Sequence, residues 1–249
     1  MKVAVLADIH GNLEALLAVS ADLQQRGAER VICLGDSIGY GPDPEKVVRR
    51  VQDLGCTSIL GNHELALDDL AARRWMNFQA ADNNIATAAL LSAESRNYCC
   101  NLPRFLAFDQ AYFVHGFPPS SVFRYLDRQS DAGLAALLAT ASYSLLFLGH
   151  THQLQLVRQE QGAIVRRPLG EECLELHPEQ KYIINAGSVG QPRDGDHRAK
   201  YLLWDSATAS LEVVFVAYDY RITMKKIGER GFPEAYAVRL GAGYYENNR

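Results

Sequence analysis

The sequence lacks long hydrophobic runs. No stretch approaches the roughly 18 apolar residues that a membrane-spanning helix needs, although 48% of the residues are hydrophobic. The opening MKVAVLADIHGN meets a charged residue after a short apolar run, which is not the pattern of a signal peptide. We therefore expect a cytoplasmic protein with no membrane partner, whose apolar residues form an internal core.

Cysteine is also scarce and is not arranged for cross-linking. There are five cysteines, an odd number, two of them adjacent and none in a CxxC pair: Cys33, Cys56, Cys99, Cys100 and Cys173. This pattern suggests neither a disulfide framework nor a zinc–thiolate site. We expect reduced, buried thiols.

An excess of positive charge is missing as well. The net charge is −4, whereas proteins that bind nucleic acid through its phosphates normally carry a basic stripe. A nucleic-acid duplex is therefore not an expected partner, although a local pocket can still be positive.

What the sequence does contain is a series of short apolar runs bounded by polar residues or glycine, as in buried strands. The six runs are Val3–Ala7, Val31–Leu34, Ser58–Leu60, Tyr112–Val114, Leu145–Leu148 and Tyr182–Ile184. Helices are predicted between the first three, one from Asn12 as cap to Gly27, and one with Asp43 as cap, Pro44 at its first position and Gly55 at its end. Strands alternating with helices predict a parallel sheet.

The remaining segments have other patterns. Residues 65–102 predict two or three helices, inserted where they would shape a substrate pocket. After Leu154, two alternating segments predict antiparallel hairpins of a second sheet. The end of the chain predicts a short helix, a turn at Gly231–Pro233 and another helix. Because we find no repeat or linker, we expect an α/β fold with one domain over residues 1–249.

Polar residues follow five of the predicted strands directly. They are Asp8, His10, Asp36, Asn62, His63, His115, His150 and His152. Ligands of open α/β sheets bind beyond the carboxyl ends of the strands, so these side chains are expected to converge. Imidazole and carboxylate ligands suit zinc, iron, manganese, nickel or cobalt. The set is too large for one tetrahedral ion and fits two ions that share a bridging carboxylate.

The ordered set D-x-H, G-D, G-N-H-E, H-G and G-H-T-H, between residues 8 and 152, resembles the calcineurin-like metallophosphoesterase superfamily. The segment INAGSVGQPRDG at 184–195 is similar to the bacterial branch of small phosphodiesterases and diadenosine tetraphosphatase-like proteins. The resemblance implies a four-layer α/β/β/α sandwich, in which helices flank two mixed β-sheets.

The resemblance also implies roles for individual residues. The first metal would be bound by Asp8, His10 and His152, and the second by Asn62, His115 and His150, with Asp36 as the bridge. His63 would be a catalytic residue that contacts the phosphate or the leaving group without binding a metal.

Two positions depart from the family pattern. Glu64 stands where aspartate is commoner, and we expect it to support the ligands from outside their shell. The segment SIGYGP follows Asp36 in place of the DRG of the protein phosphatases, which argues against a Ser/Thr phosphatase.

The expected function is hydrolysis of phosphoester bonds in a small, nucleotide-like substrate, by a hydroxide that bridges two divalent ions. Manganese is the ion expected to serve in vitro. Two alternatives stay open: a symmetrical dinucleoside polyphosphate hydrolase, and a non-catalytic scaffold on the same fold. The substrate, the native metal, the preference for monoesters or diesters and the oligomeric state, including a homodimer, are also left open.

Candidate substrate-binding residues are less clearly marked. Tyr40, beside Asp36 in a glycine-rich loop, is the first choice. Tyr40, Trp75, Phe117 and Tyr125 are candidates to stack on a base, although core packing is favoured for Trp75. Arg193 and Arg198 would either reach a second phosphate or form salt bridges with Asp194 or Asp196.

Overall fold

The structure is a computed structural model and describes residues 1–242. The strands are β1 (Lys2–Leu6), β2 (Arg30–Cys33), β3 (Thr57–Ser58), β4 (Phe105–Phe108), β5 (Ala111–Val114), β6 (Leu145–Leu148), β7 (Leu154–Glu160), β8 (Ala163–Pro168), β9 (Glu172–Glu175), β10 (Tyr182–Ala186), β11 (Ala199–Asp205) and β12 (Ser210–Val216). The helices are α1 (Leu13–Arg26), α2 (Pro44–Asp53), α3 (Asn62–Leu65), α4 (Leu70–Trp75), α5 (Phe78–Ala89), α6 (Ala93–Cys100), α7 (Asp131–Thr140), α8 (Tyr220–Glu229) and α9 (Glu234–Ala242). None of these helices is long and apolar enough to span a membrane. Residues 243–249 of the predicted domain lie outside the described part.

The strands form two six-stranded sheets. The first has the order β3-β2-β1-β11-β12-β9 and the second has the order β4-β5-β6-β10-β7-β8. The prediction of parallel β1, β2 and β3 is confirmed. The prediction that both hairpins belong to a separate second sheet is wrong. The β7–β8 hairpin extends the second sheet, whereas β11–β12 joins β1 in the first, a pairing across about two hundred residues that local alternation does not encode.

Alternating side chains of the central strands divide the interior into layers. Val3 and Val5 of β1 face the second sheet across the central core, while Leu6 faces α1. On β6, Phe147 faces the central core and Leu146 faces α7. Because successive strand residues point to opposite faces, each sheet is buried on both sides, and the expected four-layer sandwich is confirmed.

The predicted boundaries of the first two helices are confirmed, with one difference in capping. The Asn12 side chain accepts a hydrogen bond from the Ala15 N–H (3.1 Å), and α1 is closed by Gly27 in the left-handed conformation. Pro44 begins α2, but the Asp43 carboxylate makes no capping bond. It instead accepts a hydrogen bond from Lys226 of α8 (2.7 Å), a contact with a distant helix that the local sequence does not reveal.

Two further segments agree with expectation. Residues 65–102 contain the three helices α4, α5 and α6, and the described part of the chain closes with α8, a turn and α9. All five cysteines are free, as predicted. Only Cys33 and Cys99 are buried, however, and Cys173 on the edge strand β9 is exposed.

Candidate metal centre

The predicted ligands meet where parallel strands of both sheets end. Asp8 lies beyond β1 and Asp36 beyond β2 in the first sheet, while His115 and His150 follow β5 and β6 in the second. The two sets join directly, because the backbone N–H of His150 donates to Asp8 Oδ2 (2.9 Å). The convergence expected from the strand ends is therefore present.

One cluster consists of Asp8, His10 and His152, all buried. The Nε2 atoms of His10 and His152 are 3.1 Å apart. The Asp8 Oδ1 atom lies 3.3 Å from His152 Nε2 and 3.7 Å from His10 Nε2. Three donor atoms thus surround one point.

A second cluster is centred on His115. Its Nε2 atom lies 3.1 Å from Asn62 Oδ1, 3.2 Å from His150 Nδ1 and 3.3 Å from Asp36 Oδ2. The same Asp36 oxygen is 3.8 Å from His10 Nε2 in the first cluster. Asp36 therefore lies between the two clusters, where a bridging ligand would be.

The spacing of these atoms matches ligands of common ions. Two ligand atoms about 2.1 Å from a metal, at roughly 90–110° to each other, are about 3.0–3.4 Å apart. The closest donor pairs in both clusters, at 3.1–3.3 Å, lie within this range.

Backbone carbonyls fix the orientation of four imidazole rings. The Nδ1 atoms of His10, His115 and His152 lie 2.9, 2.8 and 2.7 Å from the carbonyls of Ile38, Leu34 and Gln191, and His150 Nε2 lies 3.3 Å from the carbonyl of Phe123. A carbonyl only accepts hydrogen bonds, so each of these nitrogens carries the proton of the neutral ring. The other nitrogen of His10, His150 and His152 then directs a lone pair into the clusters, and His115 Nε2 does so once a second proton has left it, as in metal-binding histidines.

This arrangement needs positive charge. Lone pairs of His10 and His152 face each other at 3.1 Å, and Asp8 Oδ1 is buried without a hydrogen-bond partner. Without a cation, lone pairs and carboxylates this close repel each other, and their burial is costly. The residues therefore fit two divalent cations, one in each cluster.

The pKa values of the site reflect its burial and its charges. Burial lowers the pKa of His150 to about 3 and that of His152 to about 4, so both rings are neutral at pH 7, as ligands require. Burial lowers the pKa of His115, but the charge of Asp36, its hydrogen bond and the charges of Asp8 and Glu64 together outweigh burial and raise the pKa to about 9. Burial raises the pKa of Asp36, but the charges of His115, His63 and His10 and the hydrogen bond with His115 together hold it far below its usual range.

Glu64 supports the loop that carries Asp36. Its carboxylate accepts hydrogen bonds from the backbone N–H groups of Asp36 (2.8 Å), Ser37 (2.7 Å) and Gly61 (3.1 Å). The side chain acts on the bridging residue through the backbone, which is the indirect position expected from the sequence.

The backbone of the site is strained. Among the described residues, nine other than glycine have positive φ, and six of these lie at the site: Asp8, His10, Asp36, Tyr40, His150 and His152. Such conformations cost about 1–3 kcal/mol each and persist only where the surrounding structure imposes them. Their concentration around the two clusters is typical of a functional site.

His63 lies beside the clusters in a different setting. Its ring packs edge-on against His10 (4.9 Å between centroids) and Tyr40 (4.7 Å). Burial lowers its pKa to about 3, so the ring is neutral at pH 7 unless a bound anion raises the pKa. A ring nitrogen of His63 also lies within 4.8 Å of the potential ligand atoms of His10 and Asp36.

A cavity of about 290 Å³ opens beside the metal centre, and His63, Asn62 and His150 contribute to its wall. Trp75, from the helices at 65–102, and Phe123 also line it, with their rings stacked at 5.7 Å. The expectation that Trp75 packs in the core is wrong: α4 lies at the surface and leaves Trp75 76% exposed.

The other candidate substrate residues divide clearly. Tyr40 and Tyr125 line the cavity, whereas Phe117 is buried in the core against α7. Arg198 forms salt bridges with Asp196 (2.7 Å) and Glu171 (2.8 Å). Sequence reasoning missed Phe123 and Arg128, which also line this cavity, and Arg239, which lines a neighbouring one. These residues follow no buried strand and belong to no motif.

Two sheets that carry paired histidine and carboxylate clusters at their joined strand ends define a metallophosphoesterase-type fold and site. The family model of the calcineurin-like phosphoesterase superfamily domain matches residues 1–209, and the chain belongs to that superfamily. The expected resemblance is therefore confirmed.

Individual relatives are similar to this chain over nearly its whole length. The uncharacterized protein MJ0912 of Methanocaldococcus jannaschii is 34% identical over 97% of this chain and 98% of its own. The crystal structure of a metallophosphoesterase from Sphaerobacter thermophilus, 32% identical, covers 98% of this chain and 99% of its own with a TM-score of 0.83. The hypothetical protein PH1004 of Pyrococcus horikoshii OT3, 22% identical, has the same fold, with a TM-score of 0.78 over 98% of this chain and 99% of its own.

Proposed function

We propose that the protein is a phosphoesterase that uses two divalent ions to hydrolyse a small, nucleotide-like phosphodiester or phosphomonoester. The observation that carries the proposal is the pair of inward-facing clusters. In the first, the Nε2 atoms of His10 and His152 face each other at 3.1 Å, and the Asp36 carboxylate lies between the two clusters. Nitrogen and oxygen ligands of this kind suit manganese, iron, zinc, nickel or cobalt. Manganese is the ion proposed for assays in vitro.

The ions and the side chains of the protein would contribute different parts of the chemistry. Two bound ions would supply Lewis acidity, which polarises phosphoryl oxygens and lowers the pKa of coordinated water. Asp36 holds the two sites at a fixed separation, and Glu64 fixes Asp36 through the backbone. His63, at the cavity wall, is placed to donate a proton to the leaving oxygen once a bound phosphate has raised its pKa.

The substrate proposed for this cavity is small and contains an aromatic group. The stacked rings of Trp75 and Phe123 offer a surface for a base, and such stacking contributes about 1–3 kcal/mol per base. Tyr40 reaches the metal centre from the same wall, where its ring lies 4.5 Å from that of His10.

The decisive experiment is the initial rate on bis-p-nitrophenyl phosphate after chelation, with and without added Mn²⁺. We expect turnover that depends on Mn²⁺ and a metal content near two per chain by elemental analysis. Metal bound at two per chain without turnover on this or other phosphoesters would contradict the enzymatic proposal and favour a scaffold.

A matched pair of variants tests the bridging carboxylate. Asp36 and Asp109 are aspartates with φ of 53° and 50°, but Asp36 is buried and Asp109 lies in an exposed turn. Asp36→Asn is expected to lower kcat by about 10²-fold or more and to reduce the metal content below two. Asp109→Asn makes the same chemical change away from the site and is expected to alter neither.

A further inference from the structure

A second cavity, of about 230 Å³, adjoins the one at the metal centre. The two share four lining residues: Tyr40, Asn77, Tyr125 and Arg128. The second cavity is lined in addition by Arg193, Arg239, Asp127, Thr151 and Gln153. Three arginines and one aspartate give its wall a formal charge of +2, in a chain whose net charge is −4.

The arginines come from three separate parts of the chain. Arg128 precedes α7 and lies over the Tyr125 ring (5.0 Å). Arg193 follows β10, and its backbone N–H donates to the carbonyl of His152 (3.1 Å), so it is tied to a candidate metal ligand. Arg239 is on α9, beyond the residues 1–209 that match the family model.

Packing of the last two helices fixes Arg239 at this place. The ring of Tyr236, one turn before Arg239, contacts the Tyr40 ring (5.0 Å between centroids) and is almost fully buried. The Tyr236 hydroxyl donates to the carbonyl of Gln79 on α5 (3.0 Å). The C-terminal helices are thus anchored to the wall of the substrate cavity itself.

Guanidinium groups that converge on a cavity suit phosphate oxygens, which they bind through paired charge-assisted hydrogen bonds. We propose that Arg128, Arg193 and Arg239 form an anion subsite for a second phosphate group, so that the substrate carries at least two phosphates. This inference rests on the proposed function, in which the first phosphate binds at the metal centre. The C-terminal helices then determine substrate choice through Arg239.

The test compares AMP and ADP as competitive inhibitors of bis-p-nitrophenyl phosphate turnover at a fixed free Mn²⁺ concentration. Hydrogen bonds between guanidinium and phosphate are charge-assisted, so the inhibition constant of ADP is expected to be about tenfold lower than that of AMP, or lower still. In Arg239→Gln the advantage of ADP is expected to shrink to about twofold. Arg221→Gln, an exposed arginine of α8 over the Tyr220 ring, is the control and is expected to keep the full difference.

Binding without metal separates this inference from the proposed function. Calorimetry in EDTA is expected to show tighter binding of ADP than of AMP, and the difference is expected to be lost in Arg239→Gln and in the second variant Arg193→Gln. Equal binding of AMP and ADP by the wild type, or a difference that survives both substitutions, would overturn the subsite. If the protein shows no turnover but still binds ADP more tightly than AMP, the enzymatic proposal is overturned and the subsite is not.

Discussion

His63 is the histidine of the site whose ring is held least by the surrounding backbone. Its Nδ1 atom is buried without a hydrogen-bond partner, whereas carbonyls orient His10, His115 and His152. The backbone N–H of His63, in contrast, donates a hydrogen bond to Asp36 Oδ1 (2.9 Å). The proposed catalytic role therefore belongs to the side chain, while the backbone hydrogen bond supports Asp36.

Replacing His63 by alanine separates these two contributions. His63→Ala keeps the backbone bond to Asp36 and is expected to retain about two metals per chain while kcat falls about 10²–10⁴-fold. His177→Ala, at an exposed histidine, is the control and is expected to keep wild-type kcat. A loss of metal from His63→Ala would show instead that His63 is a ligand.

The proton on His115 makes metal affinity depend on pH. With a pKa of about 9, His115 carries a proton in the metal-free protein at neutral pH, and that proton must leave when Nε2 binds an ion. His150 and His152, with pKa values of about 3 and 4, have none to lose. Between roughly pH 6 and 8, the dissociation constant of the ion bound at His115 is expected to fall about tenfold per pH unit.

Calorimetric titration of the metal-free protein with Mn²⁺ at several pH values measures this slope. The binding enthalpies in buffers of different ionisation enthalpy give the number of protons released. One proton per pair of ions is expected. A dissociation constant independent of pH in this range would contradict the assignment of that proton.

At the scale of the secondary-structure elements, the turn from β3 into α3 leaves no room for a side chain at Gly61. A Cβ atom on Gly61 would lie 2.1 Å from Asp36 Oδ1 and 2.4 Å from the Asp36 nitrogen. Since Gly61 has a φ of −96°, which other residues also adopt, the constraint is contact with the bridging carboxylate and not backbone strain.

Gly61→Ala is therefore expected to displace Asp36. We expect a loss of about 1–3 kcal/mol in the free energy of unfolding, measured with urea, and a metal content below two. Gly170→Ala is the control, because a Cβ there has no atom within 4 Å and the φ of Gly170 is not positive. Its stability is expected to stay within about 0.5 kcal/mol of wild type.

At the scale of the whole molecule, the fold does not depend on the metal centre for its core. The central core between the sheets is apolar and includes Val5, Phe113, Phe147 and Trp204. The candidate ligands lie at the strand ends beyond it. Metal binding should therefore add stability to a sandwich that is already folded.

Chelation is accordingly expected to lower the melting temperature without unfolding the protein at 25 °C. An ion present at 100 times its dissociation constant stabilises the native state by about 2.7 kcal/mol, which corresponds to a shift of roughly 5–10 °C for a domain of this size. Circular dichroism melts with EDTA and with Mn²⁺ measure the shift, and Asp36→Asn should reduce it. Unfolding on chelation at 25 °C would show that the metals are part of the folding core.

The sequence by itself determined the parallel strands β1 to β3, the first helices and the set of candidate ligands at the strand ends. These features follow from local rules: an apolar run predicts a buried strand, a cap and a glycine bound a helix, and the carboxyl ends of parallel strands meet. Only the tertiary structure decided which sheet each hairpin joins, that Trp75 lines the first cavity, and that Arg239 lines the second. Those outcomes depend on contacts between residues far apart in the chain, as between Tyr40 and Tyr236, and no local pattern records such contacts.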